Sequence, residues 1–191
     1  MKIIVLTFLL LLNFNLIAVS QVSYSYTTRE FDMIREINKL RNNPQQYISL
    51  LSFYTDTTYF EYGNRKTLKE QMRKAQLAEG IISYLNALKK TEPMLEDSLL
   101  TQAIQMYANG EKKQNTKKFL LQNLQSNCRC MKHWQLHGST AQEALLNLFF
   151  SKHGTIFMQV LLYPQYNSIG CYYLWDKGEE HYWFIAVTMD E

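Results

Sequence analysis

The sequence predicts an α+β fold, with helices packed on a small antiparallel sheet that ends in a C-terminal hairpin. Two patterns predict it. Apolar residues recur every three or four positions through roughly the first two thirds of the chain, the period of a helix with one buried face. Two runs rich in aromatic and β-branched residues, 169–175 and 181–189, then flank Asp176-Lys177-Gly178, the signature of a hairpin turn. Composition agrees: only 7 Gly and 3 Pro with 14% aromatic residues argue for a packed core and against a disordered tail or a fibre.

The first segment stands apart from that fold. Lys2 precedes an apolar run at 3–12, Asn13 and Asn15 interrupt it, and Ala18-Val19-Ser20 places small residues where a signal peptidase reads. An export signal is therefore expected over 1–20, cut before Gln21, leaving a single domain over 21–191. A spanning helix needs about 20 apolar residues, and neither this run nor any other reaches that length. The expectation is a secreted protein, extracellular or periplasmic, without a membrane span after cleavage. Loss of Lys2 lowers the formal charge from +3 to +2. So small a charge predicts no nucleic-acid partner and no strong attraction to anionic membranes. Lys112, Lys113, Lys117 and Lys118 form a local basic cluster that reads as a solvated face.

The helices follow in order. Thr27 or Thr28 caps the first, with Glu30 near its start and Phe31, Ile34, Ile37 and Leu40 on one face. Asn42-Asn43-Pro44 stops it, because the residue before Pro avoids helical geometry. A short second helix turns Tyr47, Leu50, Leu51 and Tyr54 inward, and 55–64 reads as a loop. The longest helix is expected at 67–90, with Gly80 weakening it by about 1 kcal/mol relative to Ala. Glu92-Pro93 ends that element. Leu95, Glu96 and Asp97 lead into a helix with Leu99, Leu100, Ala103, Ile104 and Tyr107 as its stripe, stopped by Asn109-Gly110. A short helix is expected at 119–124, an irregular or extended stretch at 127–137, and a helix at 139–150. In the last, Ser139–Gln142 and Thr140–Glu143 both have capping-box spacing. The apolar 157–163 reads as helix and 164–168 as a turn into the hairpin.

Few residues carry chemistry. Cys128, Cys130 and Cys171 are an odd set in an exported chain. A bond from Cys128 or Cys130 to Cys171 is the pairing expected, since Cys128–Cys130 would close a strained ring. No Gly-x-Ser-x-Gly and no phosphate-cradling Gly loop occur, so no catalytic residue and no cofactor is assigned. His133, His137 and His153 would make a zinc site if they converged. The expectation is three separate imidazoles, with Glu143 serving the helix start. His181, following Glu179 and Glu180, reads as a solvated tip of the hairpin.

Three segments carry a family resemblance: Ile37-Asn38-Lys39-Leu40-Arg41-Asn42-Asn43-Pro44, Glu92-Pro93-Met94-Leu95 with Leu99 and Ala103, and the C-terminal Leu161-Leu162-Tyr163-Pro164-Gln165-Tyr166-Asn167-Ser168-Ile169-Gly170 stretch ahead of Tyr182-Trp183-Phe184-Ile185-Ala186-Val187. In this order they resemble the CAP domain, the SCP-like superfamily of cysteine-rich secretory, antigen 5 and pathogenesis-related proteins, in its bacterial form. The resemblance implies an α-β-α sandwich. It also implies a cleft that relatives line with two His and two Glu and that can hold a divalent metal. Here the family's cleft His falls on Phe157, the Arg after it on Met158 and one Glu near Lys152, so no metal site is carried over. Phe and Met offer no ligand to a hard cation. An apolar pocket at Phe157 and Met158 is expected instead, with His153, His133 and His137 near it. The function expected is a non-enzymatic, exported CAP-like domain binding a hydrophobic small molecule or a surface protein. The rival is a metal-dependent hydrolase using a relocated cluster of the three histidines.

Overall fold

The computed structural model describes residues 26–110, 131–175 and 180–189. Helix α1 spans Thr28–Asn42, α2 Gln45–Thr55, a short 3-10 turn Thr57–Tyr59, and α3 Arg65–Ala87. Strand β1, Leu95–Glu96, leads into α4, Ser98–Ala108; β2 is Lys132–His137, α5 Ala141–Phe149 and α6 Gly154–Leu162. Strands β3, Tyr166–Trp175, and β4, His181–Met189, close the chain. The helix expected at 119–124, the turn at 176–178 and the first part of 127–137 lie outside the described residues.

The sheet has the order β1-β3-β4-β2. Its three longer strands are antiparallel, with Trp175 opposite His181 and His137 opposite Tyr182. The expected antiparallel sheet is thus a mixed one, because the two-residue β1 joins the outer edge of β3 in parallel. So short a strand leaves no alternation in the sequence to read.

Both faces of the sheet are covered. Ile169, Cys171, Trp183, Ile185 and Val187 point into the main core beneath α1, α5 and α6. The alternate residues Phe184 and Ala186 point the other way and meet Ile104 of α4. That alternation is the period-two pleat of a strand buried on both sides, and it makes the molecule an α-β-α sandwich. Gly170 lets α4 lie close: a Cβ there would stand 2.5 Å from the backbone of Leu100 and Thr101. Helices α2 and α3 pack on each other and extend the core through Leu51, Ala78, Ile81 and Leu85.

Local chemistry sets the helix ends. Thr27 and Glu30 form a complete capping box on α1. Asp97 caps α4 by accepting from Leu99 and Leu100 N–H. The longest helix begins at Arg65 because Asn64 caps it, accepting from Lys66 and Thr67 N–H, and it ends at Ala87 ahead of the expected bound.

Two polar side chains of α1 join the three segments that carry the resemblance. The Asn38 amide donates to Met94 O (3.1 Å) and accepts from Met94 N–H (2.8 Å). Arg41, 1% exposed, donates through Nε to Glu92 O (2.7 Å) and through Nη1 to Leu161 O. Burial lowers the pKa of its guanidinium. Carbonyls at the C-terminal end of α6 supply the partial negative charge that lets a buried cation stand without a carboxylate.

Candidate functional site

The positions expected to form an apolar cleft lie in the core. Phe157 is 0% and Met158 2% exposed. The Phe157 ring meets Trp134 of β2 edge-on at 4.7 Å. The reason is the sharp joint between α5 and α6, which bends the chain by 120°. A Cβ at Gly154 would stand 2.2 Å from Phe149 O, so a glycine is required there. The bend turns residues 157, 158, 161 and 162 of α6 inward. Apolar residues at that locus fill the interior and line no open pocket.

Nor do the three histidines meet. The His133 ring packs edge-on against Tyr107 of α4 (4.9 Å), His137 packs against Tyr182 (4.7 Å), and His153 is exposed at the N-terminus of α6. Among the described residues no group of three His, Cys, Asp or Glu is placed to hold a metal ion. Of the disulfide candidates, Cys128 and Cys130 lie outside the described residues. Cys171 is a free thiol, buried in the core, and burial raises its pKa well above the ordinary thiol value.

What opens between α5 and the hairpin is a groove of about 370 Å³, lined by His137, Gly138, Ser139, Glu143, Asn147, Glu180 and His181. It is polar, which corrects the expectation of an apolar cleft. Thr140 caps α5 by accepting from Glu143 N–H (3.1 Å). The Glu143 carboxylate reaches one residue beyond the capping-box position and accepts from Ser139 Oγ (2.5 Å) and Ser139 N–H (2.9 Å). Those bonds, the hydroxyl first, hold its pKa below the ordinary carboxylate value, with His181 adding a small electrostatic pull. The Asn147 amide donates to His137 O (3.0 Å), and Trp183 Nε1 donates to Gly138 O (2.8 Å), so backbone at the end of β2 is tied from both sides. His181 Nδ1 shares a 2.5 Å hydrogen bond with the Tyr173 hydroxyl, and Tyr182 donates to Glu180.

Sequence reading named His137 as a ligand-binding candidate and missed the rest of this groove. Glu143 carried a signal, but it pointed to helix capping, which it performs. Glu180 and His181 sit beside a hairpin turn, and nothing in their spacing places them against α5. Only the β2–β4 register, which puts His137 opposite Tyr182, brings them there.

A second opening lies at the outer end of α2. Phe53, Tyr54, Asp56, Phe60, Gln71 and Lys74 line a mostly apolar crevice of about 200 Å³. Tyr54 packs on Phe150 (4.6 Å) and Phe53 on Tyr54 (5.9 Å). Phe53 is 63% exposed. Asp56 is held at the rim by the Thr58 hydroxyl (2.6 Å) and N–H (2.9 Å), which lower its pKa. Lys74, half-buried, forms no ion pair among the described residues.

No family model and no curated protein matches the chain. Among solved structures it is similar to an outer surface protein from Borrelia burgdorferi. The two are 13% identical with a TM-score of 0.41, over 61% of this chain and 89% of that one.

Proposed function

We propose that this chain is an exported, CAP-like binding domain that holds an amphiphile with an apolar tail and an anionic head in the crevice between α2 and α3. Export rests on the segment over 1–20. Among the described residues no single helix is long and apolar enough to cross a membrane. The CAP-like reading is supported by Asn38 and Arg41: residues quoted for the resemblance bond to backbone in the other quoted segments.

The observation that carries the ligand class is Phe53, a large apolar ring left mostly in water beside Tyr54 and Phe60, with the Lys74 stem completing the wall. Each methylene buried there contributes about 0.8 kcal/mol. Lysine covers apolar surface with its stem and keeps its ammonium at the rim, where a carboxylate or phosphate head would meet it. Asp56 stands at the same rim, held by Thr58. Asp56 and Lys74 make no arrangement of nucleophile and base, so the crevice suits holding a ligand rather than transforming it.

Titration with cis-parinaric acid, a fluorescent fatty acid, tests this. Wild type should saturate. Phe53→Asp should abolish binding and Lys74→Ala weaken it, both with melting temperatures near wild type because Phe53 is exposed and Lys74 only half-buried. Failure of wild type to saturate, or unchanged binding by both variants, rejects the reading.

A further inference from the structure

We propose that the polar groove between α5 and the hairpin is a separate binding site for a neutral saccharide. The proposal rests on a run of rings with hydrogen-bonding groups of both kinds beside it. Tyr173 and Trp175 occupy one face of β3, and His181 lies across from Trp175 on β4. The His181 ring is stacked with Trp175 (8° between planes, 6.4 Å) and with Tyr173 (23°, 6.0 Å). These near-parallel rings run from the groove to solvent, and Trp175 at the outer end is 65% exposed. The exposed Trp175 indole matches the C–H face of a pyranose ring.

The polar groups select among ligands. Ser139 and Tyr182 each engage Oε2 of their glutamate partner, which leaves Oε1 of Glu143 and of Glu180 as acceptors. Asn147 donates through Nδ2 and keeps Oδ1. Arg29 reaches over from α1: its guanidinium carbon lies 5.7 Å from the centre of the Tyr173 ring, and Nη1 donates to Ser139 O (3.0 Å). Its other N–H groups remain as donors. An anion would meet two carboxylates. A cation would meet Arg29, already seated over the Tyr173 ring. An acyl chain would strip water from polar groups and return no hydrogen bonds. A neutral ring bearing many hydroxyls, each both donor and acceptor, satisfies the whole set. A volume of about 370 Å³ lies within the ordinary range for small-molecule sites.

The test is calorimetric titration of the mature protein with maltotriose, cellotriose, tri-N-acetylchitotriose and mannotriose. At least one should bind saturably. Trp175→Ala should weaken that binding at least about tenfold, the size of one lost stacking and desolvation contact. Trp175→Phe should retain most of it, and Glu180→Gln should weaken it, with thermal melts showing that the variants fold. Phe53→Asp should leave it unchanged, so this site and the crevice stand or fall separately. The proposal is overturned if no trisaccharide saturates, if Trp175→Ala binds as wild type does, or if an arginine-rich hexapeptide binds instead in a Trp175-dependent manner.

Discussion

Helix α6 and the groove end of α5 are close neighbours in sequence, yet their side chains meet opposite fates. On α6, Phe157 and Met158 are shut into the core. At the start of α5, Ser139 and Glu143 are exposed beside His181 and Glu180. The difference arises at Gly154, where a 120° bend drives one helix under the sheet and leaves the other's N-terminus at its open end. Residue type agrees with place in both cases. What differs is which place becomes a groove, and that is decided by backbone geometry.

The comparison can be broken most forcefully at Phe157. As a core residue packed on Trp134, its replacement by Ala should cost about 3–5 kcal/mol, through lost transfer energy and the cavity left behind. Urea denaturation measures this. A cost under about 1 kcal/mol would mean that the ring lines an open pocket after all. Next comes Arg41, which anchors the C-terminal end of α6 through Leu161 O. Arg41→Met keeps much of the stem's packing and strands the carbonyls of Glu92 and Leu161, so it should cost about 2–4 kcal/mol. Arg41→Lys should recover only part, because one ammonium cannot span two carbonyls as the planar guanidinium does. Full recovery by Lys would reduce Arg41 to a charge without geometry.

Much of the fold was legible because it rests on local signals. Thr27 with Glu30, Asp97, Asn109-Gly110 and Thr140 marked helix ends that the structure places within a few residues of expectation. The hairpin strands followed from their aromatic and β-branched runs, although β3 begins at Tyr166, inside the expected turn. Strand β1 was illegible because two residues make no pattern. The binding surfaces were less legible still. The apolar pocket was expected at Phe157 by alignment to a family pattern, but sequence spacing cannot tell a cleft wall from a core. The aromatic residues that wall the crevice share no signal in the sequence: Phe53 falls inside the expected second helix and the half-buried Phe60 inside the expected loop. Glu180 and His181 looked like a solvated tip because the strand that carries His137 to them lies more than forty residues earlier.

The smallest expected effect sharpens the account of the groove. Glu143 accepts two hydrogen bonds from Ser139, and these hold its folded-state pKa below the unfolded value. A depressed carboxylate contributes stability above its unfolded pKa, about 4.3, and loses it as pH falls through the folded value. Wild type should therefore melt about 1–3 °C above Glu143→Gln at pH 7, a gap limited by solvent screening at so exposed a site. The gap should close as the pH is lowered from about 5 toward 3. Thermal melts of both proteins across that range decide it. A gap that persists unchanged at pH 3 would show that Glu143 acts through packing or shape, and the ionised Oε1 would lose its place as an acceptor in the groove.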